Sequence, residues 1–557
     1  MILSDTFPQQ KLVISALPAE RYMSVKHPNF LFIITDQHRA DHLGCYGNDI
    51  VKTPHMDSLS EKGLTFDKFY VASPTCTPNR ATLATGRMPS ATGVTTNGFP
   101  LPLDTVTLMD LLASAGYRTA LMGKAHLQYM TDRTVRPETF AVTTSGEAPP
   151  ENLSQALRRR IDGKEYQNEL RSVWDKNPKR GVALPYYGFQ EAKIALFHGD
   201  RVGGDYSTWL SERHSDPDAL RGPENSLSNT KNIRAPQAWQ TRVPEELYPT
   251  TWVTELTIDC LERYAKDPDK PFFIQCGYTD PHHPFTPPGK YWDMYDPNDI
   301  PVPVSLGAQH TDPPPFIRHL KTMLEDGTAI RDYVHPYAVD EVEAQQSIAL
   351  TYGMTTMVDD GIGRLLAKLD DLGLSENTVV IYTSDHGDVM GDHGVMLKHG
   401  LHTEGVIRMP FIWTDPQAKG GMRTDLLSSA IDFTPSILGR AGLQPFSGVQ
   451  GVDIVSAVRN SFKPDRAGII IEADELPENV NVEKFFRVRS FVDGRWRMTL
   501  WVDDDFGEMY DRKNDPHELD NLWNNTQHKE TKSRLLEQML KEQYRYSELM
   551  PRPIYMG

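Results

Sequence analysis

The sequence predicts an α/β protein: a doubly wound, mainly parallel sheet with helices on both faces, joined to a smaller α+β domain at its carboxyl end. Three observations carry this. Short apolar runs of the kind that bury both faces of a strand recur along the chain, each ends in a cluster of polar residues, and helix-like stretches separate them. The first run, Phe30-Leu31-Phe32-Ile33-Ile34-Thr35, delivers Asp36-Gln37 at its carboxyl end. Phe272-Phe273-Ile274-Gln275 likewise precedes Asp280-Pro281-His282-His283-Pro284, and Thr378-Val379-Val380-Ile381-Tyr382-Thr383 precedes Asp385-His386. Sites on such sheets lie beyond the carboxyl ends of the strands, where all three clusters are expected to converge.

Taken in order, residues 1–26 read as an N-terminal extension. Met1 to Val25 holds neither a basic start with a continuous apolar stretch nor a span near the roughly 20 residues of a membrane helix. Residues 27–444 form the main domain. Its helix candidates include Leu108 to Ala115, closed by Gly116, and Glu343 to Leu372, with Gly373 as the stop. The stretch 131–249 is polar, rich in Arg, Pro, Asn and Trp, and reads as an insertion that serves as a pocket wall, a surface excursion or an oligomer contact. Residues 445–557 form the smaller domain and tail, with strands expected at Phe485-Phe486-Arg487-Val488-Arg489 and Arg495-Trp496-Arg497-Met498-Thr499-Leu500.

With 557 residues, 39% hydrophobic and 24% charged, the chain can bury a large core and has ordinary globular composition. A formal charge of -17 argues against a nucleic-acid partner. It does not exclude an anionic substrate, because a few Lys and Arg beside a divalent cation reverse the potential locally. Four cysteines, Cys45, Cys76, Cys260 and Cys276, are too few for a disulfide framework in so long a chain. A cytoplasmic protein without a membrane segment is therefore expected.

Cys76 is the most informative residue. It stands in Ser73-Pro74-Thr75-Cys76-Thr77-Pro78-Asn79-Arg80, followed by Ala81-Thr82-Leu83-Ala84-Thr85-Gly86-Arg87. Pro78 suits a first helical turn, which places Cys76 at a helix N-terminus where partial positive charge favours oxyanions and makes a thiolate reactive. Two further motifs accompany it: Gly123-Lys124-Ala125-His126, and Leu397-Lys398-His399-Gly400. An extended backbone would turn Lys124 and His126 to one side. On the Cys-x-Pro-x-Arg run, the Gly-Lys-x-His and Pro-His-x-Pro motifs, and a closing segment Glu508-Met509-Tyr510-Asp511 with Asn514-Asp515-Pro516-His517-Glu518, the chain resembles the type I, formylglycine-dependent sulfatases over most of residues 27–525.

The resemblance implies an alkaline phosphatase-like fold and hydrolysis of sulfate monoesters of arylsulfatase type. It implies that a formylglycine-generating enzyme oxidises Cys76 to formylglycine (3-oxoalanine), whose hydrate offers one hydroxyl to attack sulfur and another to expel the product. It further implies one divalent metal ion held by Asp36, Gln37, Cys76, Asp385 and His386. Ca²⁺ is the family default, with Mn²⁺ or Mg²⁺ as alternatives, since an imidazole among oxygen ligands pulls toward a transition metal. Arg80 would hold the formylglycine and Lys124 the sulfate. His126 would act as the base that releases sulfate, and His282 with Lys398 would assist the leaving alcohol, His283 being the rival. Asn97 joins Lys124, His282 and Lys398 as a substrate-binding residue. His399 and His402 are bystanders on this reading or line the pocket.

Other activities stay open at this point. Phosphonate monoester and phosphodiester hydrolases share the fold and the modified cysteine; Lys124 and His126 favour sulfate, whereas Gln37 and His386 tilt the other way. A catalytically silent binding protein would predict an unmodified Cys76. Phosphatase and mutase relatives place Ser or Thr at the nucleophile. Aryl, sugar and alkyl sulfates are not distinguished, although Tyr186-Tyr187-Gly188-Phe189 offers rings for stacking. A small-molecule substrate and a homo-oligomer are expected.

Overall fold

The computed structural model describes residues 27–133, 163–227, 232–332, 334–476 and 486–547. The expected N-terminal extension, the 134–162 part of the expected insertion, Phe485 and the tail beyond 547 lie outside the described residues.

Nine strands form the main sheet: β1 (Asn29–Thr35), β2 (Leu64–Phe66), β3 (Arg118–Gly123), β4 (Glu191–Leu196), β5 (Gly203–Gly204), β6 (Phe272–Gly277), β7 (Thr378–Ser384), β8 (Phe411–Thr414) and β9 (Met422–Thr424), in the order β9-β2-β8-β7-β1-β6-β3-β4-β5. The five central strands, β7-β1-β6-β3-β4, run parallel. β8 and β5 add antiparallel neighbours on either side. All three apolar runs are therefore adjacent central strands, with Phe30 opposite Phe273 on one side and Val379 on the other.

The continuous apolar run of β1 has a direct structural cause. Phe30, Phe32 and Ile34 point into one buried cluster and Leu31 and Ile33 into another, so each face of the strand needs its own apolar set. Helices α1 (Pro54–Lys62), α2 (Cys76–Thr85), α3 (Leu108–Ser114), α4 (Pro249–Ala265), α5 (Glu341–Asp371) and α6 (Phe433–Arg440) divide between the faces. α2, α3 and α6 pack with Phe30 and Phe32, while α1, α4 and α5 pack with Leu31 and Ile33. Gly116 and Gly373, with φ of +91° and +66°, follow α3 and α5 as the sequence predicts. An Asp340–Glu343 capping box starts α5, worth about 1 kcal/mol.

The stretch 131–249 departs from expectation. It is not simply an insertion, because β4 within it completes the parallel core of the sheet, with Leu121 in register with Ala192. The run Ile194-Ala195-Leu196 is fully buried, but Glu191, Ala192 and Lys193 before it are partly exposed, and this shortened the apolar signal.

The smaller C-terminal sheet is an antiparallel meander of β10 (Ile469–Glu475), β11 (Phe486–Val492), β12 (Trp496–Trp501) and β13 (Gly507–Asp511). Helix α7 (Lys529–Arg545) closes the chain and buries Leu535 and Met539. Ile469, Ile471, Val488 and Phe491 share a continuous buried cluster with Phe30 and α2. All four cysteines are free.

Candidate active site

Every parallel strand delivers a polar residue to the same edge. Asp36 and Gln37 follow β1, Lys124 and His126 follow β3, His198 follows β4, His282 and His283 follow β6, and Asp385 and His386 follow β7. Backbone bonds tie these ends together: Asp36 N donates to Asp280 O at 3.2 Å and Asp385 N to Thr35 O at 3.2 Å. Gly123 has φ +104°, and a Cβ there would lie 2.1 Å from Gly277 O. Only glycine permits that approach, through which Lys124 N reaches Gly277 O at 2.8 Å. Positive φ at Gly123 and, at +55°, at His126 departs from the extended backbone expected on either side of Lys124. Both residues nonetheless enter the site, because Glu169 accepts hydrogen bonds from the backbone N–H groups of His126, Leu127 and Gln128 at 2.8, 2.8 and 3.1 Å.

Cys76 is the first residue of α2 and is buried. Its Sγ lies 3.1 Å from His386 Nε2, 3.2 Å from Lys398 Nζ and 4.0 Å from Asp36 Oδ1. Burial pushes the thiol up, more than Lys398 pulls it down. The expected reactive thiolate is thus corrected: at this helix end an unmodified Cys76 is held as a thiol. Asn97 Oδ1 accepts from Thr77 N at 3.0 Å, so its carbonyl secures the start of α2 beside Cys76.

Ligand atoms of Asp36, Cys76, Asp385 and His386 all lie within 4.8 Å of one another. Arg80 Nε donates to Asp385 Oδ2 at 2.7 Å, and Lys124 Nζ donates to Asp36 Oδ2. Both Oδ1 atoms remain close to His386 Nε2, at 3.8 Å from Asp36 and 3.5 Å from Asp385. His386 Nδ1 donates to Gly387 O at 2.8 Å, which leaves the lone pair on Nε2 facing the carboxylates. Burial lowers His386 to about 4, keeping it neutral. Two carboxylates and an imidazole with an unprotonated Nε2, all buried, fit a divalent cation. Gln37, the fifth expected ligand, has Oε1 accepting from Lys398 Nζ at 2.7 Å, and its Nε2 donates to Asp388.

Positive charge surrounds this cluster. Burial alone would raise the Asp36 carboxyl, but the Lys124 ammonium that donates to it overcomes this and holds the group well below the usual carboxylate range. Lys398 Nζ contacts Cys76 Sγ, Gln37 Oε1, His386 Nε2 and, at 3.0 Å, His282 Nε2. His282 Nδ1 donates to His283 O at 2.5 Å, so its Nε2 accepts from Lys398. Burial, with His198 and Lys398 beside it, lowers His282 well below its usual range. Burial and then Lys124 and Arg80 do the same to His126, whose Nδ1 has no partner among the described residues.

The structure brings together all the expected site residues near Cys76 except His399 and His402, which face the C-terminal sheet through Glu475 at 3.1 Å and Ser490 at 2.7 Å. Three contributors escaped the sequence. His198 and Glu169 fall in the polar 131–249 stretch, and Glu475 ends β10; none sits in a motif, so the only available signal was the position of His198 and Glu475 near strand ends, and Glu169 had none.

Residues 28–443 match the sulfatase family, and residues 391–545 match the C-terminal region of N-sulphoglucosamine sulphohydrolase. The chain belongs to the sulfatase family. This sulfatase is 27% identical over 524 residues to an arylsulfatase of Clostridium perfringens, covering 92% of this chain and 94% of the relative. It is 30% identical over 426 residues to the multifunctional alkaline phosphatase superfamily protein PehA of Trinickia caryophylli, covering 74% of this chain and 73% of that one. Its fold matches the crystal structure of the phosphonate monoester hydrolase of Agrobacterium radiobacter with a TM-score of 0.72 at 22% identity, covering 93% and 96% of the two chains. The expected alkaline phosphatase-like fold is borne out.

Proposed function

We propose that this sulfatase hydrolyses sulfate monoesters to sulfate and an alcohol or phenol, using Cys76 after its conversion to formylglycine by a formylglycine-generating enzyme. The observation that carries the reading is the placement of Cys76 Sγ. It sits at the start of α2 within reach of the Asp36, Asp385 and His386 cluster and of the Lys398 ammonium. Formylglycine supplies a hydrate with one hydroxyl to attack sulfur and another whose deprotonation expels sulfate. Asp36, Asp385 and His386 would hold a divalent ion, Ca²⁺ being our assignment, which would supply positive charge beside the nucleophile and a sulfate oxygen.

The chain's own residues cover the remaining tasks. Arg80, a cation that does not titrate, fixes Asp385 and thereby the metal-facing oxygens. Lys124 presents an ammonium to the sulfate oxygens, whose charge spreads in the transition state. The Lys398–His282 pair holds one proton between Nζ and Nε2, 3.0 Å apart, to be handed to the leaving oxygen. His126, neutral and with Nδ1 unpartnered among the described residues, accepts the proton of the second hydroxyl as sulfate departs.

A second reading, hydrolysis of phosphonate monoesters or phosphodiesters, is favoured by one feature, the presence of Gln37 and His386 in the metal site. Lys124 and His126 place it second. Chelation tests the proposal: removing divalent ions from the active protein abolishes hydrolysis of an aryl sulfate, and returning one restores it. Full activity in chelator with no bound metal would sink the metal-dependent scheme.

A further inference from the structure

His198 belongs to no motif, yet it makes the tightest ring contact of the site. Its imidazole lies face to face with that of His282, centroids 3.4 Å apart and planes 14° apart. The His282 ring in turn stacks on His283 at 4.1 Å and 27°. His198 is placed there by β4, which ends two residues earlier, and by Phe197 at φ +64°. Its side chain is only 12% exposed. On its edge, Nε2 lies 2.6 Å from Lys124 Nζ, and 3.6 Å from Asp36 Oδ2.

The chemistry of that contact admits one arrangement. An ammonium has only hydrogens to offer, so His198 Nε2 is the acceptor and its ring proton sits on Nδ1. A charged imidazole would place two cations in contact, which excludes His198 as a second positive group. Two of the three Lys124 N–H bonds are then directed, one to Asp36 and one to His198, and the third is left for a substrate oxygen. Lysine is a point charge on a long flexible stem, so an ammonium meant for one oxygen needs fixed partners on its other sides.

We propose that His198 is a positioning residue of the hydrolytic site: its Nε2 holds the Lys124 ammonium in line with Asp36, while its ring face fixes the plane of His282. The proposal rests on the sulfatase reading above and deepens it. One side chain thereby couples the group that meets the sulfate to the group that meets the leaving oxygen. It also explains why a strand in the polar 131–249 stretch belongs to the catalytic sheet.

Three variants separate the two roles. His198→Phe keeps the face and loses the acceptor, His198→Asn keeps an acceptor and loses the face, and His198→Ala loses both. On formylglycine-bearing protein, kcat and KM are measured for aryl sulfates whose phenols differ in acidity, and crystal structures are determined for the parent and His198→Phe. The Phe variant is expected to lose about tenfold or more in kcat, with a smaller change in KM and the parent's dependence on phenol acidity. The Asn variant is expected to retain more of kcat but to depend more steeply on phenol acidity, because His282 is no longer held. In the His198→Phe crystal, Lys124 Nζ is expected to leave its place beside Asp36. Phe and Asn variants within about twofold of the parent in kcat and in that dependence, well below the loss a mispositioned group causes, would overturn the proposal. So would an unmoved Lys124. A converted parent that turns over no aryl sulfate sinks the sulfatase reading alone, and the crystal comparison then decides the place of His198.

Discussion

At Cys76 two influences oppose each other. The helix end and Lys398 favour an anion, but burial outweighs them and the thiol stays protonated. A residue so placed gains from a modification that replaces a poor nucleophile by a hydrate. Cys76→Ala is therefore expected to remove hydrolysis by at least about 10⁴-fold while leaving the melting temperature nearly unchanged; residual turnover near the parent rate would contradict this. Lys124→Met, which removes a charge from the sulfate side, is expected to lower kcat about 10²-fold or more in the same assay. The residues that act directly were legible because their chemistry is carried by short spacings: Cys76 with Arg80, Lys124 with His126, Asp385 with His386. Residues that act through another group were not. Glu169 holds three consecutive backbone N–H groups behind His126, and that role exists only once the 163–170 segment folds against the end of β3.

Elements place these residues through close backbone approaches. The β3–β6 edge is one such approach, since Gly123 and Gly277 meet where no Cβ fits on Gly123. Gly123→Ala is expected to lower kcat about tenfold or more and also the melting temperature, because φ of +104° and the Gly277 carbonyl both oppose it. A variant with parent-like kcat would show that Lys124 does not depend on this approach. On the opposite face, Asp359 of α5 accepts from His55 N at 3.1 Å and Met56 N at 2.8 Å at the start of α1. Burial raises this carboxyl to about 7. The folded state thus binds its proton more tightly than the unfolded state, so its stabilising contribution is full below about pH 4 and is lost as pH rises to about 7. Asp359→Asn is expected to flatten the fall in melting temperature between those pH values; an unchanged slope would contradict the assignment. Strands β1, β6 and β7 were legible because burial on both faces enforces unbroken apolar runs. Strand β4 was not, since its first half is partly exposed and carries Glu191 and Lys193.

Across the whole molecule, the C-terminal sheet takes part in the site rather than standing apart. Glu475, at the end of β10 and fully buried, accepts from Gly400 N at 2.8 Å, pairs with His399 at 3.1 Å and accepts from Thr75 Oγ1 at 3.4 Å. It joins the loop of Lys398 to the residue before Cys76. Glu475→Ala is expected to cost about 1–3 kcal/mol through unpaired buried donors and to lower kcat with it; loss of stability with kcat intact would confine Glu475 to the fold. The expected boundary near residue 444 rested on the strands read beyond it, and the apolar cluster runs across it, from Phe30 to Phe491. A net charge of -17 coexists with a centre where Arg80, Lys124 and Lys398 converge, because a few cations set the potential locally. The most direct test is peptide mass spectrometry across Cys76 on protein produced with a formylglycine-generating enzyme, with rates on the same sample for an aryl sulfate and the matching aryl phosphonate. Conversion of Cys76 with preference for the sulfate is the predicted result, and unconverted protein that nonetheless hydrolyses the sulfate would contradict it.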